Sequence, residues 1–548
     1  MHQGLLRFVA LGIGTFARTG VPSDPPPWRL RYVDLAITVL PESQSIRGAV
    51  ALYLGVSGPD TPDLALDLAD SMHIDSIRAA TPGGTTPIVV AREPMRLRIT
   101  GTELRGCTGT AHRPGRAPAA ERSCMLTIWY HGSPARRAMA FTDNGGLPRV
   151  ATYGLPMSAR EWWPTIDSPA QKADSADIAI TARADLVVAS NGRFVSRTAN
   201  ADRTATTRWA VRYPIYPDVI SLAIANYVTW RDSLHSLGGR TVPLEFFVFP
   251  EDSAKAKADF AVVPRVLHFY EEWLGPYPFA QEKYGIAEFA RPSFREHQTL
   301  TSLGASLIAG TGSSEEIIAH EVAHQWFGNS VSVTSWRDIW LNESFAEFMA
   351  WEWIRQAHGS AAFDSLARDG RAADTSGVVA AADTSRMQSM FGGLTFAKGP
   401  FVLEMLQDVI GPRAMARALH TYITDASYRH GSTPAFELAC ERSAHRSLRW
   451  FFVQWVYGGS VPVLRMSWRS RAIAGGKWDV RVQVDQLQSG APFRLPVTLS
   501  VEDSAGHTTR RHAWITRSSR QLAFTTAATP RHVVLDMSHI LGRDTTDR

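Results

Sequence analysis

His320-Glu321-Val322-Ala323-His324 brings together the residue types of a hydrolytic metal centre. On a helix, positions i and i+4 share a face, so both imidazoles can reach one cation. Glu321 stands beside them, placed to act as a base rather than a ligand. Zinc held in this way lowers the pKa of a water towards about 7, which makes a nucleophile without a serine or cysteine. Catalytic zinc takes three protein ligands and keeps one position open. After eighteen intervening residues His324 is followed by Glu343, in Trp340-Leu341-Asn342-Glu343-Ser344-Phe345-Ala346-Glu347-Phe348. Two histidines and a distant glutamate complete the set. The expected cofactor is one zinc per chain, on His320, His324 and Glu343, with Glu321 as general base.

These residues need two helices to hold them. Ser313–Gly328 reads as the first: Ser313 and Glu316 form a capping-box pattern, an apolar stripe follows, and Gly328-Asn329 stop it. A second, amphipathic helix, Trp340–His358, is expected to pack antiparallel and present Glu343, with Glu347 one turn on either helping to hold a substrate amine or, foremost, solvated. Further helical spacing runs over Ala254–Leu274, Lys398–Val409, Arg413–Thr424 and Pro434–Ala444. Before this region lie short alternating segments punctuated by Gly, Pro and Asn-Gly: Val33–Val39, Ala49–Leu54, Ile88–Val90, Leu126–Tyr130, Ile178–Ala182 and Val219–Tyr227. Alternation returns after Gly458-Gly459 and Pro462, over Trp478–Val484, Leu495–Val501, His512–Ile515 and Val533–Leu535. The pattern predicts a multidomain α+β protein. Its expected parts are a leader over 1–27, a β-sandwich-like domain over 28–233, a mainly helical catalytic domain over 234–457 and a small β-sandwich over 458–548.

Composition narrows the class of protein. With 45% hydrophobic and 20% charged residues among 548, neither wholesale disorder nor a fibre fits. A net charge of +5 without basic blocks gives no support for a nucleic-acid partner. Leu5–Phe16 is apolar, carries Arg7, and precedes the small and Pro-rich stretch Thr19–Pro27. This resembles a short signal segment, and no later stretch is apolar enough to span a membrane. Cys107 and Cys124 flank a turn-rich stretch and are either a clasp or two separate thiols, with Cys440 left over. Leader and clasp together point to an extracytoplasmic location, periplasmic or secreted, with the cytoplasm as the alternative.

His320–Asn329 followed by Trp336–Phe348 resembles the zinc aminopeptidases of the aminopeptidase N and leukotriene hydrolase family, which are gluzincins. Arg160–Asp167 and Val188–Gly192 are similar to landmarks of that family's N-terminal β domain, and Phe451–Pro462 to its exit from the catalytic domain. The resemblance implies a thermolysin-like catalytic domain and the short three-domain form, without a large C-terminal helical array. It also implies the ligand and base roles given above. Family members carry a Gly-Ala-Met-Glu-Asn motif whose Glu binds the substrate's free α-amine. Ser293-Phe294-Arg295-Glu296-His297 stands in its place, continuing Gln298-Thr299, and keeps only Glu296, 24 residues before His320. Arg295 then either holds a substrate carboxylate or pairs with a local acid.

Two further family positions differ. Leu155 occupies the place of an acidic or amide residue that helps hold the amine. Phe396-Ala397-Lys398-Gly399 replaces a Tyr-x-Lys-Gly motif whose Tyr donates to the oxyanion, and Phe396 has no hydroxyl. The implied function is a zinc metallopeptidase, foremost an aminopeptidase that removes N-terminal residues from peptides. Two alternatives stay open: a zinc-containing peptide-binding or scaffold protein without turnover, and an endopeptidase that needs no free amine.

Overall fold

A computed structural model describes residues 27–57, 60–107, 121–153, 157–372, 376–380 and 390–546. The apolar leader Leu5–Phe16 and Leu155 lie outside the described residues. The chain forms two compact units. One takes in the described residues up to Trp336 and regains Tyr422–Ser432; the other takes Arg337–Thr421 and the chain from Thr433.

The first unit is built on an eight-stranded sheet. Its strands run in the order Arg193–Ala199, Thr204–Val211, Ser175–Arg183, Trp28–Leu40, Ser45–Ser57, Glu121–Gly132, Met72–Thr81, Gly84–Pro87. Alternation dictates which face is buried. Trp28 and Leu30 point inward, then Val33, Leu35, Ile37 and Val39. That switch from even to odd positions coincides with a register shift between Leu30 and Tyr32, because one extra residue in a strand turns every later side chain to the other face. Two expected strands fall differently. Ile88–Val90 is irregular in backbone yet keeps its alternation, Ile88 buried and Val89 74% exposed, and of Val219–Tyr227 only Leu222–Ala225 pairs as a strand. Pro217 sets the preceding residues in a single tight turn, Pro217–Val219.

A five-stranded sheet in the same unit carries the site. Its order is Val228–His235, Thr241–Val248, Tyr284–Phe289, Thr301–Gly304, Phe294–Arg295. Tyr284–Phe289 is buried at all six positions and pairs in parallel on both sides, as an inner strand of a sheet covered on both faces does. The helical stretch expected over Ala254–Leu274 is two helices, Ser253–Phe260 and Val263–Leu274, the second opening with Pro264 in its first turn. Cys107 and Cys124 form a disulfide.

In the second unit Trp340–His358 is one helix, as its spacing predicts. It is not amphipathic: every residue from Trp340 to Ile354 is buried. An enclosed helix needs partners on every side, and Gly399–Ile410 supplies one of them. There a side chain at Gly399 would meet Ser344 Oγ at 1.9 Å. Two C-terminal sheets follow, one ordered Ser519–Thr526, Trp478–Gln486, Val463–Ala472, Arg543–Asp544 and the other Thr508–Ile515, Leu495–Asp503, Pro530–Asp536. Val480, Val482 and Val484 alternate inward, as do Leu495, Val497, Leu499 and Val501. Among the described residues no helix is long and apolar enough to cross a membrane.

Candidate active site

The histidine-bearing helix is shorter than its sequence pattern, spanning Glu315–Ala323. No capping box forms: Ser314 is the cap residue, and its hydroxyl donates instead to the Leu307 carbonyl at 2.6 Å. Glu315 and Glu316 in the first turn still complement the helix dipole. His324 ends the helix in helical geometry, its N–H on the His320 carbonyl at 3.3 Å. The chain then folds back. Asn329, Ser330 and Val331 donate their N–H groups to the carbonyls of His324, Gln325 and Trp326 at 3.0–3.1 Å. Lys172 Nζ receives the exit by donating to the Asn329 and Ser330 carbonyls, at 2.7 and 2.8 Å. Burial pulls its ammonium down to about 7.

His320, Glu321 and His324 are each 1% exposed. The two Nε2 atoms stand 3.0 Å apart, and His324 Nδ1 lies 3.0 Å from the Phe327 carbonyl. A carbonyl only accepts, so His324 carries its proton on Nδ1 and turns a lone pair towards His320. Two N–H groups cannot face each other at that spacing. It is close to that of two nitrogens sharing one zinc at about 2.0–2.1 Å each. Glu343 lies in the first turn of Trp340–His358, its N–H on the Ile339 carbonyl. The ligand atoms of His320, His324 and Glu343 all lie within 4.8 Å of one another. Two neutral imidazoles and one carboxylate, with Glu321 between the histidines, fit a single zinc.

Residues 285–455 match the peptidase family M1 domain, and residues 31–215 the peptidase M1 N-terminal domain. This chain belongs to the peptidase M1 family. Glutamyl aminopeptidase of Homo sapiens is 24% identical over 60% of the chain and 36% of its own length. Probable aminopeptidase 2 of Sulfurisphaera tokodaii is 26% identical over 64% of the chain and 46% of its own length. A crystal structure of Legionella pneumophila aminopeptidase A in complex with aspartic acid shares the fold, with a TM-score of 0.81 at 16% identity, covering 96% of this chain and 60% of that one. The chain spans between a third and a half of the length of these curated relatives.

In this M1 chain Ser293–His297, the stretch that the sequence resemblance sets in place of the exopeptidase motif, runs along the sheet edge. Phe294–Arg295 pairs antiparallel with Thr301–Gly304, setting Arg295 opposite Ser302. Of the two fates open to Arg295, the structure shows pairing with local acids. Its Nη2 donates to Asp218 Oδ2 at 2.6 Å, and its Nη1 lies 2.9 Å from Glu296 Oε1. Glu296 is 9% exposed, and its carbonyl accepts from Asn329 Nδ2 at 2.8 Å, which ties this edge to the turn after His324. His297 meets Ser302 Oγ at 2.9 Å, and burial pushes its pKa well down, so the ring is neutral.

Thr299 holds φ at +62°, a left-handed conformation costly for a β-branched residue. Three hydrogen bonds hold it there. Its N–H donates to Gln325 Oε1 at 2.9 Å, its hydroxyl accepts from the Gly192 N–H at 2.8 Å, and its carbonyl accepts from Lys283 Nζ at 2.9 Å. Gly192 itself has φ +74°, and a Cβ there would strike the Ala210 carbonyl at 2.2 Å. The landmark Val188–Gly192 thus serves to brace the loop after Glu296.

Phe396 lies in a π-helical turn, Leu394–Lys398, and is 4% exposed. Lys398 Nζ in the same turn donates to the carbonyls of Gly377 and Gly458, at 2.5 and 3.1 Å. Glu347 corrects a sequence expectation: it is fully buried and accepts from Trp351 Nε1 at 2.9 Å. Asp218, Gln325 and Asn329 carry much of the positioning and were not evident from residue type. The Tyr-Pro-Asp of Asp218 reads as a turn, and Gln325 and Asn329 read as the end of a helix.

Proposed function

We propose that this chain is a zinc-dependent aminopeptidase that releases N-terminal residues from peptides. The observation that carries the reading is the convergence of His320, His324 and Glu343 within 4.8 Å, with Glu321 on the same buried turn as the histidines. Zinc at these ligands supplies a Lewis acid for the scissile carbonyl and for the attacking water. Glu321 takes the water's proton and passes it to the leaving nitrogen. Glu296 holds the substrate's α-ammonium, its carboxylate fixed at the end of the short edge strand.

Membership of the M1 family and the aminopeptidase names of the relatives support peptides as substrates. The Cys107–Cys124 disulfide supports an extracytoplasmic location, since such bonds persist in oxidising compartments. The test is hydrolysis of free and N-acetylated aminoacyl-coumarins by zinc-loaded protein beside Glu321→Ala. The panel includes glutamyl and aspartyl forms, because relatives are glutamyl aminopeptidases. Turnover restricted to free amines is the expected result. Equal turnover of acetylated substrates would make it an endopeptidase. Silence with one zinc bound per chain would make it a peptide-binding protein, the reading that Phe396 in place of a hydroxyl donor favours.

A further inference from the structure

Asp218, Arg295 and Glu296 form a buried run of alternating charge, with side chains 2%, 7% and 11% exposed. Asp218 is anchored from the far side. Its Oδ1 accepts from the Ser158 N–H at 2.8 Å and the Ser158 hydroxyl at 2.9 Å, while Oδ2 takes Arg295 Nη2 at 2.6 Å. Arg295 in turn reaches both oxygens of Glu296, at 2.9 and 3.0 Å. Burial pushes the Asp218 carboxyl up to about 6, with Arg295 pulling against it. One guanidinium therefore lies between two carboxylates, and the three groups together carry a single negative charge.

We propose that Arg295, held by Asp218, is a specificity-determining residue that sets how strongly the Glu296 carboxylate takes a substrate's N-terminal ammonium. This rests on the aminopeptidase reading in one respect, the role of Glu296. A carboxylate that already accepts a charge-assisted bond has less to offer an incoming ammonium than a solitary one. Asp218 draws part of the guanidinium charge away from Glu296 and so restores some of that capacity. Arg295 lowers the discrimination between free and blocked N-termini, and Asp218 raises it. The two residues thus oppose each other, although they touch. A purely structural pair would move binding in one direction whichever partner was removed.

Binding to Glu321→Gln protein loaded with zinc measures this without turnover. The probes are alanyl-alanine amide and N-acetyl-alanyl-alanine amide, titrated calorimetrically, with zinc content and thermal midpoint recorded for every variant. Adding Arg295→Met together with Asp218→Asn removes both of these charges and leaves the Glu296 carboxylate as the one charge of the run, open to the amine. It is expected to tighten the free amine about tenfold, the scale of one charge-assisted hydrogen bond, and to leave the acetylated probe unchanged. Asp218→Asn alone, which keeps Arg295 on Glu296, is expected to loosen the free amine several-fold. Equal changes for both probes, the same direction in both variants, or no binding of either probe would overturn the proposal. Turnover by the unmutated protein is a separate measurement, so failure of the aminopeptidase reading is distinguished from failure of this one.

Discussion

His320 and His324 point their Nε2 atoms at each other across 3.0 Å, with the Phe327 carbonyl holding the proton of His324 on Nδ1. With that proton on Nδ1, His324 turns its Nε2 lone pair to His320 in a site only 1% exposed, where a cation held by both rings would replace an N–H···N bond between them. His324→Ala is therefore expected to drop zinc from one per chain to near zero after dialysis, measured by atomic absorption. Glu321→Ala should keep the zinc and lose about a hundredfold to ten-thousandfold in kcat, the scale of general-base catalysis. Loss of zinc from Glu321→Ala would instead make Glu321 a ligand.

Phe396, which the sequence resemblance sets in the place of a hydroxyl donor, is buried in the turn Leu394–Lys398. Loss of one oxyanion donor costs about a hundredfold to a thousandfold in rate. Phe396→Tyr is expected to raise kcat by roughly tenfold or more with KM little changed, read on the best aminoacyl-coumarin. An unchanged kcat would mean that another group already donates to the oxyanion.

The metal ligands were legible in the sequence because helix periodicity and ligand chemistry are local facts. His320 and His324 are four residues apart, and the helix Trp340–His358 has the bounds its spacing predicts. What surrounds them was not legible. Trp340–Ile354 is buried all round, so Glu347, polar and near a helix start, is enclosed beside Trp351. The capping box expected over Ser313 and Glu316 gave way to a helix start one residue later, at Ser314, whose hydroxyl donates to the Leu307 carbonyl. Arg295 had two possible partners in the sequence, and Asp218, 77 residues away, decided between them. Partners at that separation are set by the sheet, and no spacing rule reaches them.

Gly399 shows how tightly the ligand-bearing helix is held. A Cβ there would lie 1.9 Å from Ser344 Oγ and 2.5 Å from Ser344 Cβ, one residue from Glu343. Ser344 Oγ is itself fixed on the Thr395 carbonyl at 2.6 Å. Gly399→Ala is expected to destabilise the protein by about 1–3 kcal/mol in urea unfolding and to weaken zinc binding. Ser344→Gly in the same chain should recover part of both, because the clashing atoms are gone. Independent, additive effects would place the strain elsewhere.

The thiol count tests the compartment reading. Of three cysteines, Cys107 and Cys124 are bonded and Cys440 is a buried free thiol. Dithionitrobenzoate should find one thiol per unfolded chain without reductant and three with it. Closing a loop of this length stabilises a fold by about 3 kcal/mol, so Cys107→Ser with Cys124→Ser should lower the thermal midpoint of protein made in an oxidising compartment. Three thiols in protein isolated without reductant would remove that support for an extracytoplasmic location.

Glu288 gives the pH dependence a clear sign. It lies fully buried in the strand Tyr284–Phe289, with Oε2 accepting from the Phe249 N–H at 2.6 Å. Burial, helped by the nearby acids Asp252 and Glu251, pushes its pKa from 4.5 up to about 8. The folded chain therefore holds a proton that the unfolded chain releases between pH 4.5 and 8, and this contribution to stability is lost as pH rises through that window. Glu288→Gln mimics the protonated form and keeps an oxygen for Phe249. It is expected to match the parent protein near pH 4.5 and to exceed its unfolding free energy by about 2–4 kcal/mol above pH 8. Urea titrations at pH 5, 6.5 and 8 would show the gap widening. A constant gap across that range would mean that Glu288 is ionised throughout and that its neighbours, rather than its proton, meet the cost of burial.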